Sequence, residues 1–133
     1  MSKTYILDTD ICSYIIRENP KTVIDKFWEH KNDDFYITSI TLAELMYGVA
    51  HKGSAKIAKQ VEVFLSRMMI IDFNDTAAEE YAKIRYTLEK TGNTIGNMDM
   101  LIAACALACD GTLITNNKKH FLKIPNLKIE HWL

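Results

Sequence analysis

Three carboxylates in this chain sit in settings that call for more than solvation. Asp8 directly follows the apolar run "YIL", Glu44 lies within "TLAELMYG", and Asp99 is the lone acid of "GNMDMLIAACALA". A segment that is apolar all round expects burial, and an isolated ionised carboxylate is costly to bury unless it is paired, hydrogen-bonded or bound to a cation. Each acid also has a local explanation. Asp10 precedes "ICSYII" and suits a helix N-cap better than Asp8 does. Glu44 completes a capping box with Thr41, and Asp99 is an acceptable first-turn acid for a helix opening near Gly96. Taken singly, Asp10 and Asp99 read equally as structure or as site, and Glu44 reads better as a cap. The joint pattern shifts this balance: acids on three elements that meet at one crevice repel unless a cation neutralises them. An oxygen-rich set of this kind suits Mg2+ or Mn2+.

The elements that must bring these acids together are legible as alternating strands and helices. Runs rich in β-branched and aromatic residues predict strands at 4–7, 35–38, 68–73, 112–115 and, more weakly, 127–130. Helical patterning fills 11–17, 22–29, 42–50, 55–66, 76–91 and 98–109, with Pro20, Gly53, Gly92 and Gly111 as punctuation. Such alternation implies a three-layer α/β/α domain: a central parallel sheet of about five strands, with helices on both faces. Ligands of open α/β sheets bind beyond the carboxyl ends of the strands. Asp8, Thr9 and Asp10 lie beyond the first strand, Ser39, Thr41 and Glu44 beyond the second, and Thr115, Asn116 and Asn117 at the end of the fourth. Asp99 opens the helix that leads into that fourth strand.

Other polar and thiol groups read as structure. Asp72 falls inside the third strand run, and Asp75 suits a cap before "TAAEEYAKI". His30, His51 and His131 lack the i, i+4 pairing of a metal-binding helix. Cys105 and Cys109 share a helical face with no second pair of ligands nearby, so they read as small buried side chains.

Composition narrows the class without choosing a partner. The 133 residues suit one domain, 1–133, and 48% apolar with 25% charged residues is globular composition. A net charge of -1 supplies no global field for nucleic acid, although local patches remain open. Three cysteines without a paired framework suggest reduced thiols in a cytoplasm. No leader pattern is seen, and the apolar run 100–109 is shorter than the roughly 20 residues a bilayer needs. A soluble, unexported, cytoplasmic protein is expected.

In order and approximate spacing, "YILDTDICSYII", "ITSITLAELMYGV", "IGNMDMLIAACALA" and "TLITNNKKHF" resemble the motifs of PIN-domain ribonucleases, and most closely the VapC toxins of bacterial toxin-antitoxin pairs. The resemblance runs through nearly the whole chain. It implies that the family's acids fall on Asp8, Glu44 and Asp99, holding one or two Mg2+ (or Mn2+) ions. Hydrolysis by a metal-activated water would leave a 5′ phosphate and a 3′ hydroxyl. Many relatives carry an acid immediately before the phenylalanine, where this chain has His120 before Phe121, so Asn117 is the expected helper, with Asn116, Thr9, Asp10 and Thr115 in support.

The resemblance further implies a structured RNA substrate, tRNA and specifically the initiator tRNA anticodon stem-loop. RNA-holding candidates are Arg85, Lys118 and Lys119, with Lys123, Lys52, Lys56 and Lys59 as weaker ones. The partner it implies is a VapB-like antitoxin that threads a peptide across the crevice and sets an arginine against the acids. A homodimer, or a hetero-oligomer with the antitoxin, is expected too. Phe27, Trp28 and Trp132 either serve such contacts or fill the core. Two rivals remain. "LDTD" has the D-x-D spacing of a haloacid dehalogenase-type phosphatase, with Asp8 as nucleophile and Asp10 as acid. The other rival is a PIN-like module that binds RNA or protein without cutting.

Overall fold

Strand-forming runs and helical stretches alternate along the chain in the computed structural model, which describes residues 3–133. In order the elements are β1 (Thr4–Leu7), α1 (Thr9–Arg17), α2 (Lys21–Glu29), β2 (Asp34–Thr38), α3 (Ser39–Lys52), α4 (Ala55–Leu65), β3 (Met69–Ile71), α5 (Asp75–Lys90), α6 (Asn97–Ala108), β4 (Thr112–Ile114), α7 (Lys118–Phe121) and β5 (Lys128–Glu130). The sheet order is β3-β2-β1-β4-β5, with every pair parallel. From β1 the chain steps outward through β2 to β3, then returns to place β4 and β5 on the other side. The β1/β4 boundary is therefore the topological switch point, where crossovers diverge and a crevice opens beyond the strand ends.

Side chains alternate across β1 as the period of two requires. Tyr5 and Leu7 enter a buried cluster with residues of α1, α2 and α4 (Ile11, Cys12, Val23, Phe64), while Ile6 enters a second with residues of α5 and α6 (Ile84, Leu88, Ile102, Ala103). Helices cover both sheet faces, giving the expected three-layer α/β/α architecture. In α6, Met100, Ile102, Ala103, Ala104, Cys105 and Ala106 are all buried, because the helix lies between the sheet and α5. Its alanines let these layers approach closely. Gly111 answers a similar constraint, since a Cβ there would meet Ile6 Cδ1 at 2.7 Å.

Several local expectations are corrected. The α1 N-cap is Asp8, not Asp10: Asp8 is extended and its side chain accepts the Thr9 N–H, so the helix starts at once after β1. Helix α3 begins at Ser39, capped by Thr38, which puts Glu44 in the second turn and dissolves the capping box with Thr41. Asn74 caps α5 in place of Asp75. Strand β3 ends at Ile71, leaving Asp72 exposed beyond it. The four-residue α7 was not expected, being too short to show periodicity. The cysteines are free thiols as read, but Cys109 is an exposed C-cap rather than a buried residue. Trp132 fills the core, whereas Trp28 lies exposed under the Arg67 guanidinium. Among the described residues no helix is long and apolar enough to cross a membrane.

Candidate active site

The switch point is built around Asp8. Its backbone N–H bonds to Ile114 O, tying the end of β1 to the end of β4. One carboxylate oxygen accepts the Thr9 N–H at 2.8 Å, and the other accepts the Thr115 hydroxyl at 2.7 Å. Thr115 itself is fully buried and accepts the Asn117 N–H at 2.9 Å. Asp8 is only 5% exposed. Burial is the main reason its pKa rises from 3.8 to about 6; the Thr115 and Thr9 hydrogen bonds oppose that rise, and the negative charges of Asp99 and Asp10 add to it.

Glu44 is held from across the crevice. The Thr9 hydroxyl donates to Glu44 Oε1 at 2.6 Å, which commits its proton. The 3.1 Å contact between Thr9 Oγ1 and Thr41 Oγ1 is then donated by Thr41, and Thr38 Oγ1 donates in turn to Thr41 Oγ1 at 3.5 Å. This hydroxyl chain runs from the end of β2 to the Glu44 carboxylate and fixes its side chain against α1. Thr38, both the last residue of β2 and the N-cap of α3, starts it. A threonine at a strand-to-helix junction was the available signal.

Asp99 reaches the same crevice because α6 leads into a parallel strand and so must begin at the carboxyl edge of the sheet. His120 Nδ1 stands 3.4 Å from Asp99 Oδ2 and 2.8 Å from Asn117 Nδ2. A polar path thus runs from Asp99 through His120, Asn117 and Thr115 to Asp8, and from Asp8 through the Thr9 backbone to Glu44. Asn117 and His120 both lie on this path. Asn116 is not: its amide donates to the Tyr14 hydroxyl and its oxygen meets His131 Nε2. Asp10 is exposed in the first turn of α1, where it borders a groove with Thr9, Tyr14, Arg17 and Glu44. Arg85 is engaged on the surface of α5 by Glu89 and Tyr81 and touches none of the acids. Lys118 and Lys119 open α7 next to His120 and are exposed.

The donor chemistry fits a hard divalent cation. A buried carboxylate lies under the negative charge of two others, and among the described residues no Lys or Arg pairs with Asp8, Glu44 or Asp99. No three His, Cys, Asp or Glu side chains among the described residues form a ready-made cage. Asp10, the general acid that a phosphoaspartate mechanism would need, is exposed on the first turn of α1, and among the described residues no hydrogen bond ties it to Asp8.

Comparison with known proteins places this geometry in a family. The PIN domain model matches residues 5–127. Ribonuclease VapC2 of Rickettsia felis is 43% identical, covering 96% of this chain and 97% of its own length. The tRNA(fMet)-specific endonuclease VapC of Salmonella typhimurium is 35% identical over the same shares. The crystal structure of Rickettsia felis VapBC2 bound to a DNA fragment from its promoter contains a chain of TM-score 0.89 at 43% identity, covering 98% of this chain and 99% of that one. The chain belongs to the PIN-domain family and, within it, to the VapC ribonucleases.

Proposed function

We propose that this protein is the toxin of a toxin-antitoxin pair, a divalent-metal-dependent endoribonuclease that cuts structured RNA, with the initiator tRNA anticodon stem-loop as target. The observation that carries the metal-dependent part is Asp8: a buried carboxylate with one hydrogen bond to each oxygen, destabilised in its charged form and without a basic partner. Such a group is tolerated where a cation completes its surroundings. The tRNA target is supported by the name of the Salmonella relative, and a VapB-like antitoxin partner by the Rickettsia complex.

The chain's own residues then have distinct tasks. Asp8, Asp99 and Glu44 supply the oxygen donors for Mg2+ or Mn2+. Thr115 and the Thr9 amide hold the Asp8 carboxylate in one orientation, and the Thr9 hydroxyl does the same for Glu44. Asn117 and His120 hold the loop beyond β4 against Asp99. Lys118 and Lys119 stand where they can meet RNA phosphates beside the acids. When bound, the cation supplies charge neutralisation at the phosphate and acidifies a water at neutral pH.

The test is cleavage of total tRNA by purified protein with Mg2+, with chelator, and with Asp99→Asn, followed by mapping of the cut ends. Chelator and variant should both abolish cutting, and the wild-type products should carry a 5′ phosphate. Cutting by Asp99→Asn at saturating Mg2+, with a 2′,3′-cyclic end, would sink the proposal.

A further inference from the structure

Beside Glu44 opens a cavity of about 440 Å3, lined by Thr9, Ala43, Glu44, Tyr47 and Met98. Two of these residues are immediate neighbours of the acids. Tyr47 lies three residues beyond Glu44 in α3, on the same helix face, and Met98 precedes Asp99 in α6. Both are large apolar side chains left open to solvent, Tyr47 at 69% and Met98 at 53%. The Tyr47 ring is backed by His51, with centroids 5.8 Å apart and an interplanar angle of 21°. Lys52, the next residue of α3, is exposed and has no acidic partner among the described residues.

We propose that this cavity receives one nucleobase of the RNA, adjacent to the phosphodiester held at the acids, with Tyr47 as its stacking platform. The inference rests on the ribonuclease reading above. The cavity shares Thr9 and Glu44 with the acid site, so its occupant has to present an anionic centre and a flat apolar ring within one residue of each other. A nucleotide does so. Aromatic side chains take bases of any identity on their π faces, and Lys52 lines the adjoining groove that shares Thr9 and Glu44 with this cavity, where a flanking phosphate would run. A base can enter only when it is splayed out of a helix, so the pocket selects RNA cut in a loop over RNA cut in a duplex.

The experiment compares wild type, Tyr47→Ala and Tyr47→Phe on a short hairpin RNA, intact or carrying an abasic nucleotide on one side of the cut, with sedimentation of each variant alongside. Tyr47→Ala should lower kcat/KM on the intact hairpin roughly tenfold or more, while Tyr47→Phe stays within about twofold of wild type. On RNA abasic at the pocket position, wild type and Tyr47→Ala should cut alike. Unchanged cutting by Tyr47→Ala overturns the inference, as does an equal loss on intact and abasic RNA. A loss that tracks dissociation of a dimer also overturns it, because a second copy of the chain then covers the ring. Should the wild type cut no RNA, the cutting chemistry has failed, and the pocket is judged by anisotropy of the labelled hairpin. There Tyr47→Ala should still weaken binding, and equal binding overturns the pocket.

Discussion

The destabilised Asp8 carboxylate makes the candidate site a measurable liability to the fold. Its pKa rises from 3.8 to about 6 on folding, chiefly through burial. At 1.36 kcal/mol for each tenfold, keeping it charged costs the folded chain about 3 kcal/mol. The sign follows from linkage: between pH 4 and 6 the folded protein binds a proton that the unfolded chain has released. This contribution to stability is therefore full below pH 4 and lost as pH rises through 6.

Asp8→Asn removes the charge but not all of the hydrogen bonding. The amide oxygen can keep the Thr9 N–H, and the Thr115 hydroxyl can turn to accept from the amide nitrogen. After an imperfect exchange of that kind, the metal-free variant should be about 1 to 2 kcal/mol more stable than wild type at pH 7.5, a rise in Tm of roughly 3 to 8 °C. The assay is thermal or urea unfolding in chelator at pH 7.5 and at pH 4.5. At the lower pH the advantage should vanish, because Asp8 is then neutral in the folded chain and its buried charge no longer has to be carried. Adding Mg2+ at pH 7.5 should stabilise the wild type and not the variant, since a ligand stabilises only the state that binds it. Equal stability at pH 7.5, or a gain that persists at pH 4.5, would refute the account of Asp8 as a strained carboxylate.

Other outcomes follow from neighbouring contacts. Thr115→Val removes the hydroxyl that favours ionised Asp8 and leaves the Asn117 N–H without its acceptor. It should cost about 1.5 to 3 kcal/mol near pH 7.5 by urea unfolding, and move the acid limb of the pH–cleavage profile to higher pH. Thr9→Val frees Glu44 and interrupts the hydroxyl chain from Thr38. Cleavage should fall while circular dichroism at 25 °C stays native, and full activity would remove the positioning role given to Thr9. Gly111→Ala forces a Cβ into Ile6 Cδ1, which should destabilise by about 1 to 3 kcal/mol in denaturant melts with kcat/KM little changed.

Local patterning carried the architecture. Strand runs such as "YIL" and "TLI" and the amphipathic stretches between them are short-range properties, and alternation of that kind has few solutions other than a parallel sheet between helix layers. The boundaries were harder, because caps compete over one or two positions. Asp8 and Asp10 are both good caps, and Asp8 takes the position because it ends a strand tied to β4 through Ile114. Glu44 completes a capping box only if Thr41 is the N-cap, and Thr38 starts the helix one turn earlier.

The sequence alone determined which residue types were available and that the acids lay beyond strand ends, because strand and helix periods are written in neighbouring residues. Tertiary structure decided which of them meet. Asp8 and Thr115 are 107 residues apart, and Thr9 and Glu44 are 35 apart; only the β1/β4 and β1/β2 pairings join them. The same is true of the surface: Tyr47 and Met98 look like ordinary helix residues in their own segments. They become walls of one cavity only because α6 must start at the sheet edge where α3 begins. Contacts made across such crossovers depend on how layers pack, which no local pattern records.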